Sequence, residues 1–446
     1  MRSGAAFVFA RHAAYVLALG MATSAVVCAA SEGASPPDKK TAYDRLIPAL
    51  MTQWHIPGGA VAVARDGRLV FARGYGWADV ERRRPVEPDS LFRIASISKP
   101  ITAAAVLVLV ERGKLKLDDR VLDILPLQPL EGKDLDPRWR TITLRQLLQH
   151  TAGFDRESSF DPMFRPEEIA RECGVAAPPG PREIIRFMLG RPLDFDPGAK
   201  YAYSNFGYCL LGRVIEQATG VGYAKAVRDL VLRPAGIEAM QLGRTRPGDR
   251  AAGEVCYYPY PGEEPGGSVF PDAPPGKVPA PDGTFYLEAL DAHGGWLASA
   301  EDLVRFATAL DGSRPPALLK PETLALIESP SGHSVAAGES AYYGLGWLVR
   351  PGPQGANWWH TGSLPGTTTL LVRTHHGMVW AALFNSRPER SGEFSLKLDQ
   401  TMWEAAREKD EGRVTRGEGL GIRAGPCRPG GPVARWPSGP VARWPV

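Results

Sequence analysis

The sequence predicts an α/β (α+β) fold in which the two ends of the chain build a β-sheet and an all-helical subdomain is inserted between them. Three observations support this prediction. Strand-like apolar runs lie at both ends of the main body, helical patterns fill residues 111–220, and the run 103–110 has no polar face. Because a helix that is apolar all round is typical of a core, we expect this last helix to be buried on every side.

The N-terminal part of the body predicts a helix and then a β-hairpin. Residues 43–54 carry apolar side chains at helical spacing, namely Leu46, Ile47, Leu50 and Met51. The runs 59–64 and 69–71 flank Asp66-Gly67, a dipeptide that favours a two-residue turn between strands. We therefore expect these two runs to pair as a hairpin.

Helices dominate the middle of the chain, and strands return in its last third. We predict helices at 144–149 and 208–219, whereas residues 244–284 are so rich in Pro and Gly that a long loop or lid is expected. Strand-like runs follow at 346–349, 368–372 and 378–384. The last helix is expected to place four apolar side chains on one face: Phe394, Leu398, Met402 and Ala405.

Composition and charge restrict the function classes. The chain has 446 residues, is 44% hydrophobic and carries a net charge of only +3, so it can bury a large core. The four arginines after Glu418 have no acid to balance them, and the rest of the chain is therefore slightly acidic overall. This balance argues against a nucleic-acid surface, and we expect no nucleic-acid partner.

The two ends of the chain differ from its body. Arg2 and Arg11 precede an uncharged, mostly apolar stretch up to residue 30, which predicts a signal peptide over 1–30 and an exported, periplasmic or secreted protein. An uncleaved anchor or lipidation at Cys28 is the alternative; otherwise no stable membrane span is expected. A linker over 31–42 leads into a domain over 43–406. Residues 407–446 contain two copies of Gly-Pro-Val-Ala-Arg-Trp-Pro and read as a low-complexity, disordered tail.

Three short strings carry the predicted chemistry. Ser96 and Lys99 are three residues apart, and a helix that starts near Ser96 would place hydroxyl and amine on one face. A desolvated lysine can accept the proton of a serine hydroxyl and so activate it, provided that burial or nearby positive charge lowers the lysine pKa. The other two strings are Tyr203-Ser204-Asn205 and His360-Thr361-Gly362-Ser363.

Together these strings resemble the serine β-lactamase and penicillin-binding-protein family, in particular its class C-like branch, which includes esterases, D,D-peptidases and D-aminopeptidases. Tyr203 and Asn205 match the Tyr-x-Asn motif of that branch, and segments 143–153, 294–296 and 343–347 look like it too. The resemblance spans residues 43–406. It implies a β-lactamase/transpeptidase-like fold: an antiparallel β-sheet flanked by helices, with the active site where sheet and helical subdomain meet.

The resemblance implies three catalytic residues. Ser96 would be the nucleophile, and Lys99 would either take its proton or hold Tyr203 as a phenolate. Tyr201 is an alternative to Tyr203, and only the spacing to Asn205 decides between them. His150, by contrast, is interpreted as a structural residue that shapes a loop beside the site.

The same resemblance implies a set of substrate-binding or oxyanion residues: Asn205, His360, Thr361, Gly362 and Ser363. Asn205 would orient Lys99 or a substrate amide, and the backbone N–H groups of Ser96 and Ser363 would form an oxyanion hole.

His360 departs from the lysine that class C β-lactamases carry at this position. With an ordinary pKa of about 6.5, it would be mostly neutral at pH 7 and would bind anions better below about pH 6.

The predicted function is that of an exported serine hydrolase that cleaves an ester, amide or peptide substrate through a Ser96 acyl-enzyme. No metal or organic cofactor is expected, since the chain has no His-Glu-x-x-His or His-x-His string. Two alternatives stay open: a class C-like β-lactamase, which the departure at His360 disfavours, and a non-catalytic relative that binds cell-wall peptide or a partner.

Overall fold

The computed structural model describes residues 41–414 except 337 and 339. Its strands are β1 (Gly58–Arg65), β2 (Arg68–Asp79), β3 (Arg84–Pro85), β4 (Phe92–Arg93), β5 (Gln241–Leu242), β6 (Gly266–Gly267), β7 (Lys277–Val278), β8 (Trp296–Ala298), β9 (Tyr342–Tyr343), β10 (Leu348–Arg350), β11 (Asn357–Leu364), β12 (Thr367–Arg373) and β13 (Met378–Phe384). Its helices are α1 (Ala42–Gln53), α2 (Ser98–Glu111), α3 (Val121–Ile124), α4 (Leu144–Leu148), α5 (Pro166–Cys173), α6 (Pro181–Leu189), α7 (Asn205–Thr219), α8 (Tyr223–Val227), α9 (Ala300–Leu310), α10 (Pro321–Leu326) and α11 (Ser391–Val414).

The main sheet joins the two ends of the body, as the sequence predicts. Its eight strands lie in the order β3-β2-β1-β13-β12-β11-β10-β9, and each neighbouring pair is antiparallel. The predicted hairpin is confirmed, because β1 pairs with β2 around Asp66 and Gly67, both of which have positive φ. A short second sheet, β4-β8-β5, lies next to the segment that leads into α2.

The two faces of the main sheet pack on different helices. Along β1, Val61 and Val63 belong to a core shared with α1 and α11, whereas Ala60, Ala62 and Ala64 belong to a larger core shared with α2 and α9. This alternation follows from the period of two in a strand. The predicted face of the last helix is confirmed: Phe394, Leu398, Met402 and Ala405 are all buried.

Helices α3–α7 lie between the end of α2 and residue 220. Helix α2 is buried from Ser98 to Leu109, so the expectation of a helix with no exposed face is confirmed. Helix α2 begins at Ser98, and Ser96 lies in a 3₁₀ turn, Ala95–Ile97, directly before it. This turn still keeps Ser96 one turn away from Lys99.

Strand β11 packs directly against the backbone at the start of that 3₁₀ turn. A Cβ atom on Gly362 would lie 2.2 Å from the Ile94 carbonyl oxygen, so only glycine permits this approach. Thr369 on β12 donates a hydrogen bond to the same carbonyl at 3.0 Å, and Thr367 donates to the Arg93 carbonyl at 2.8 Å. The sheet therefore holds the segment that carries Ser96.

Several predictions concern residues outside those that the structure describes. They are the signal peptide over 1–30, most of the linker over 31–42, and most of the tail over 407–446. Helix α11 continues to Val414, past the boundary predicted at 406. Residues 244–284 form only short 3₁₀ turns and two-residue strands, in keeping with the irregular segment expected there. Within the described part of the chain, no helix has both the length and the apolar character that crossing a bilayer requires.

Candidate active site

Ser96 and Lys99 meet at the start of α2. The Nζ atom of Lys99 donates a hydrogen bond to Ser96 Oγ at 3.1 Å. Ala95, the residue before Ser96, has a φ of 47°, which lies in the left-handed region and is unusual for a residue with a side chain. Such backbone persists only where the surrounding structure holds it, and it often marks a functional turn.

Lys99 is completely buried, and its amine is surrounded by oxygen atoms. Besides Ser96, Nζ donates to Asn205 Oδ1 at 2.7 Å and to the His293 carbonyl at 3.1 Å. Burial, aided by the positive charge of Arg156, holds the pKa of Lys99 well below its ordinary value, while Asp161 opposes this shift. The lowered pKa makes it easier for Lys99 to lose a proton, and the neutral amine is the form that can accept the proton of Ser96.

Tyr203 lies against both members of this pair. Its ring centroid is 4.7 Å from Lys99 Nζ, and its hydroxyl group is near enough to Ser96 for that residue to affect the pKa of Tyr203. Burial raises the pKa of Tyr203, and the nearby Ser96 hydroxyl and the charge of Arg156 act in the opposite direction. Tyr201, the alternative, stacks on Tyr343 with ring centroids 6.1 Å apart, and no hydrogen bond within the described residues joins it to Ser96 or Lys99.

Asn205 links Lys99 to a carboxylate that the sequence analysis did not identify. Asn205 begins α7 behind the capping residue Ser204, and its Nδ2 atom donates to Asp161 Oδ2 at 2.6 Å. Burial raises the pKa of Asp161. Asp161 also caps the 3₁₀ turn that follows it, by accepting the N–H of Met163 at 3.1 Å. An Asp-Pro pair in a loop is an ordinary turn signal, so nothing in the sequence distinguished this residue.

His150 contacts the segment that carries Tyr203. It follows α4, has a positive φ of 58°, and its Nδ1 atom accepts the N–H of Ser204 at 3.2 Å. Its ring lies 4.4 Å from the rings of both Tyr203 and Tyr343. Burial, followed by the charge of Lys99, holds the pKa of His150 well below its ordinary value. These contacts agree with the structural role expected for it.

His360 is buried on β11 and is held in one tautomer. Its Nδ1 atom lies 2.7 Å from the Thr361 carbonyl, which can only accept, so Nδ1 carries the hydrogen and Nε2 accepts from the Tyr343 hydroxyl at 2.9 Å. Burial lowers the pKa of His360 to about 3, and Lys99 adds to this shift. The expectation that His360 titrates near pH 6 is therefore wrong, because that value belongs to a solvated imidazole.

The residues that follow His360 on β11, Thr361 to Ser363, face alternate sides of the sheet. Gly362 contacts the turn before Ser96, as described above, and the Ser363 hydroxyl is buried with no hydrogen-bond partner among the described residues. Thr361 faces a separate cavity of about 530 Å³ between the sheet and α11. None of Ser96, Lys99 or Tyr203 lines that cavity, so it is separate from the Ser96 cluster.

Comparison with known proteins agrees with this geometry. The sequence profile of the Beta-lactamase family matches residues 43–400. The chain belongs to this family, and it is a serine hydrolase. The predicted resemblance and the predicted fold are thereby confirmed.

Individual relatives are more distant. The chain is 28% identical to "Penicillin-binding protein 4*" of Bacillus subtilis, over 72% of its own length and 66% of that relative. It is similar in structure to SurE, solved with D-Leu, at 27% identity, a TM-score of 0.59 and coverage of 87% and 78% of the two chains. A D-stereospecific amidohydrolase from Streptomyces sp. has 26% identity, a TM-score of 0.59 and coverage of 77% and 94%.

Proposed function

We propose that this chain is an exported hydrolase that cleaves ester or amide bonds of small molecules or peptides through an acyl-enzyme on Ser96. The observation that carries the proposal is the 3.1 Å contact of Ser96 Oγ with the buried amine of Lys99, whose pKa is held well below its ordinary value. A pure binding protein has no use for an activated hydroxyl, and burying a lysine without function is unfavourable.

In the proposed reaction, Ser96 Oγ attacks the carbonyl carbon, and its proton moves to neutral Lys99 either directly or through Tyr203. The backbone N–H groups of Ser96 and Ser363 hold the negative charge that forms on the carbonyl oxygen. When the intermediate collapses, the leaving alcohol or amine takes the proton. Water then attacks the acyl group on Ser96, which releases the acid and restores the hydroxyl.

The proposed substrates are amides, esters and peptides of D-configured amino acids. Support comes from relatives whose names refer to D-stereospecific amide hydrolysis or to penicillin binding, and from the similar structure that holds D-Leu. A β-lactamase, the second candidate from the sequence, is less well supported because His360 is neutral where class C β-lactamases carry a lysine.

A substrate panel tests this proposal. Purified protein is assayed with D- and L-phenylalanine amide, a D-alanyl-D-alanine peptide, simple p-nitrophenyl esters and a chromogenic cephalosporin, with Ser96→Ala as the blank. We expect Ser96-dependent hydrolysis of the D-amide or the D-peptide to exceed that of the L-amide. Fastest turnover of the cephalosporin would instead identify a β-lactamase, and no Ser96-dependent turnover of any compound would overturn the proposal.

Export is tested separately in a bacterial host. The signal peptide predicted from residues 1–30 leads us to expect the protein in the periplasm or medium, with a new N-terminus near residue 30. A cytoplasmic protein that keeps Met1 would contradict this part of the proposal.

A further inference from the structure

Arg156 lies over the Tyr203 ring, in a position that the sequence did not single out. Its guanidinium carbon is 5.0 Å from the ring centroid, and its side chain is only 12% exposed. The loop that carries it is fixed by Asp155, which accepts hydrogen bonds from the Glu157 N–H and from Lys200. Arg156 is thus a positioned cation beside the candidate nucleophile.

Two donors along one edge of this guanidinium make no hydrogen bond to the described part of the chain. The Nε and Nη2 atoms are both buried and have no hydrogen-bond partner among the described residues. Nε forms an ion pair with Glu157 Oε1 at 3.4 Å, but the contact is not a hydrogen bond and the Glu157 side chain is 79% exposed. Nε–H and one N–H of Nη2 lie along the same edge, the fork that accepts both oxygens of a carboxylate. Buried donors that make no hydrogen bond are unfavourable, which favours a ligand carboxylate that displaces the exposed Glu157 side chain and bonds to them.

The other ionisable groups discussed for the site are already bonded to protein groups or carry no charge. Lys99 is engaged by Ser96, Asn205 and the His293 carbonyl, and its pKa is held low. Asp161 is bonded to Asn205, and Lys200 is paired with Asp155. His360 carries no charge near pH 7, because its pKa is about 3.

We propose that Arg156 is a specificity-determining residue that binds a carboxylate of the substrate through Nε and Nη2. Preferred substrates are then esters, amides or peptides that carry a carboxylate close to the scissile bond. This inference rests on the proposed function and narrows its substrate class. It places the anion-binding charge on the loop after α4, next to Tyr203, rather than at position 360 on β11.

Matched substrate pairs test the inference. One pair carries the carboxylate on the acyl side: the p-nitrophenyl monoester of glutaric acid and the corresponding ester of glutaramic acid. The second pair carries it on the leaving side: an acyl-D-alanyl-D-alanine and its C-terminal amide. The readout is the ratio of kcat/KM for the charged and the neutral member, which a general loss of activity does not change. In at least one pair we expect the charged member to be preferred by about 10-fold, as for a charge-assisted bidentate contact.

Three variants separate recognition from structure. Arg156→Gln should bring the ratio to about one, and Arg156→Lys, which keeps the charge without the fork, should give an intermediate ratio. The matched control is Arg191→Gln, because Arg191 stacks on Phe187 and pairs with Glu168 and Glu172 on the subdomain surface. Its ratio should equal that of the wild type. Ratios near one in the wild type for both pairs, or an unchanged ratio in Arg156→Gln, would overturn the inference.

A binding measurement keeps the inference testable if hydrolysis fails. If no substrate is cleaved in a Ser96-dependent manner, the proposed function is wrong, and Arg156 is then tested by calorimetry on Ser96→Ala. Glutarate should bind more tightly than glutaramate, and adding Arg156→Gln should abolish that difference. Equal binding of the two compounds to Ser96→Ala would refute a carboxylate site at Arg156.

Discussion

The two faces of the main sheet bury very different side chains. The core against α1 and α11 consists of apolar residues such as Ile47, Trp380 and Phe394. The face toward α2 also buries Lys99, His150 and His360, and it includes non-glycine residues with positive φ at positions 95 and 150. Desolvated ionisable groups and unusual backbone reduce stability, and they persist where function requires them. The comparison assigns stability to one face and chemistry to the other.

Replacing Lys99 should give the largest separation between activity and stability. Lys99→Met removes the proposed base, so kcat should fall on the order of 10⁴-fold. The same change should not lower the melting temperature at pH 7. A lysine whose pKa is lowered in the folded state binds its proton better when unfolded, so it destabilises the fold below its ordinary pKa. Initial rates and thermal unfolding measure the two effects. Retained turnover, or a large loss of stability, would contradict the assignment.

A substitution in the core on the opposite face should lower stability and leave activity unchanged. Phe394 is fully buried on α11, where its ring lies 5.5 Å from the rings of both Trp54 and Phe384. Phe394→Ala should lower the free energy of unfolding by about 3–5 kcal/mol. Activity per folded molecule should stay unchanged at low temperature. Denaturant titration and active-site counting check this, and a selective loss of kcat would show that the faces are coupled.

Gly362 is where the sheet and the 3₁₀ turn that carries Ser96 touch, so its replacement should affect both properties. The added Cβ of Gly362→Ala would meet the Ile94 carbonyl, which is backbone and can move only with the turn. We expect a loss of about 3 kcal/mol in the free energy of unfolding and a fall in kcat. As a control, Gly113→Ala adds a Cβ that meets nothing within 4 Å, although its φ of 66° makes some strain of its own. Equal kcat in Gly362→Ala and the wild type would mean that this contact does not position Ser96.

His360 should contribute to stability in a pH-dependent manner. Its pKa is about 3 when folded and near 6.5 when unfolded, so the unfolded state binds more protons between these values. The contribution is fully present above about pH 6.5 and is lost as the pH falls toward 3. At pH 5 the loss amounts to about 2 kcal/mol. In His360→Gln, the drop in unfolding free energy between pH 8 and pH 5 should be smaller by that amount. Identical drops would mean that His360 titrates normally.

The features that the sequence could predict are those that depend on local spacing. Periodicity identified the hairpin, the buried helix α2 and the apolar face of α11, because these depend on local spacing. The three strings located Ser96, Lys99 and Tyr203, which the fold brings together. Asp161 and Arg156 lie in loops, where no spacing rule applies and only the tertiary arrangement shows their neighbours. The low pKa of His360 likewise results from burial, which sequence spacing cannot measure.

The central claim is that the face toward α2 performs covalent chemistry at Ser96. Intact-mass spectrometry after treatment with a slow acylating agent, followed by peptide mapping, tests it most directly. We predict one acyl adduct, located on Ser96, in the wild type and none in Ser96→Ala. An adduct on Ser98 or Ser363, or an equal adduct on Ser96→Ala, would contradict the account.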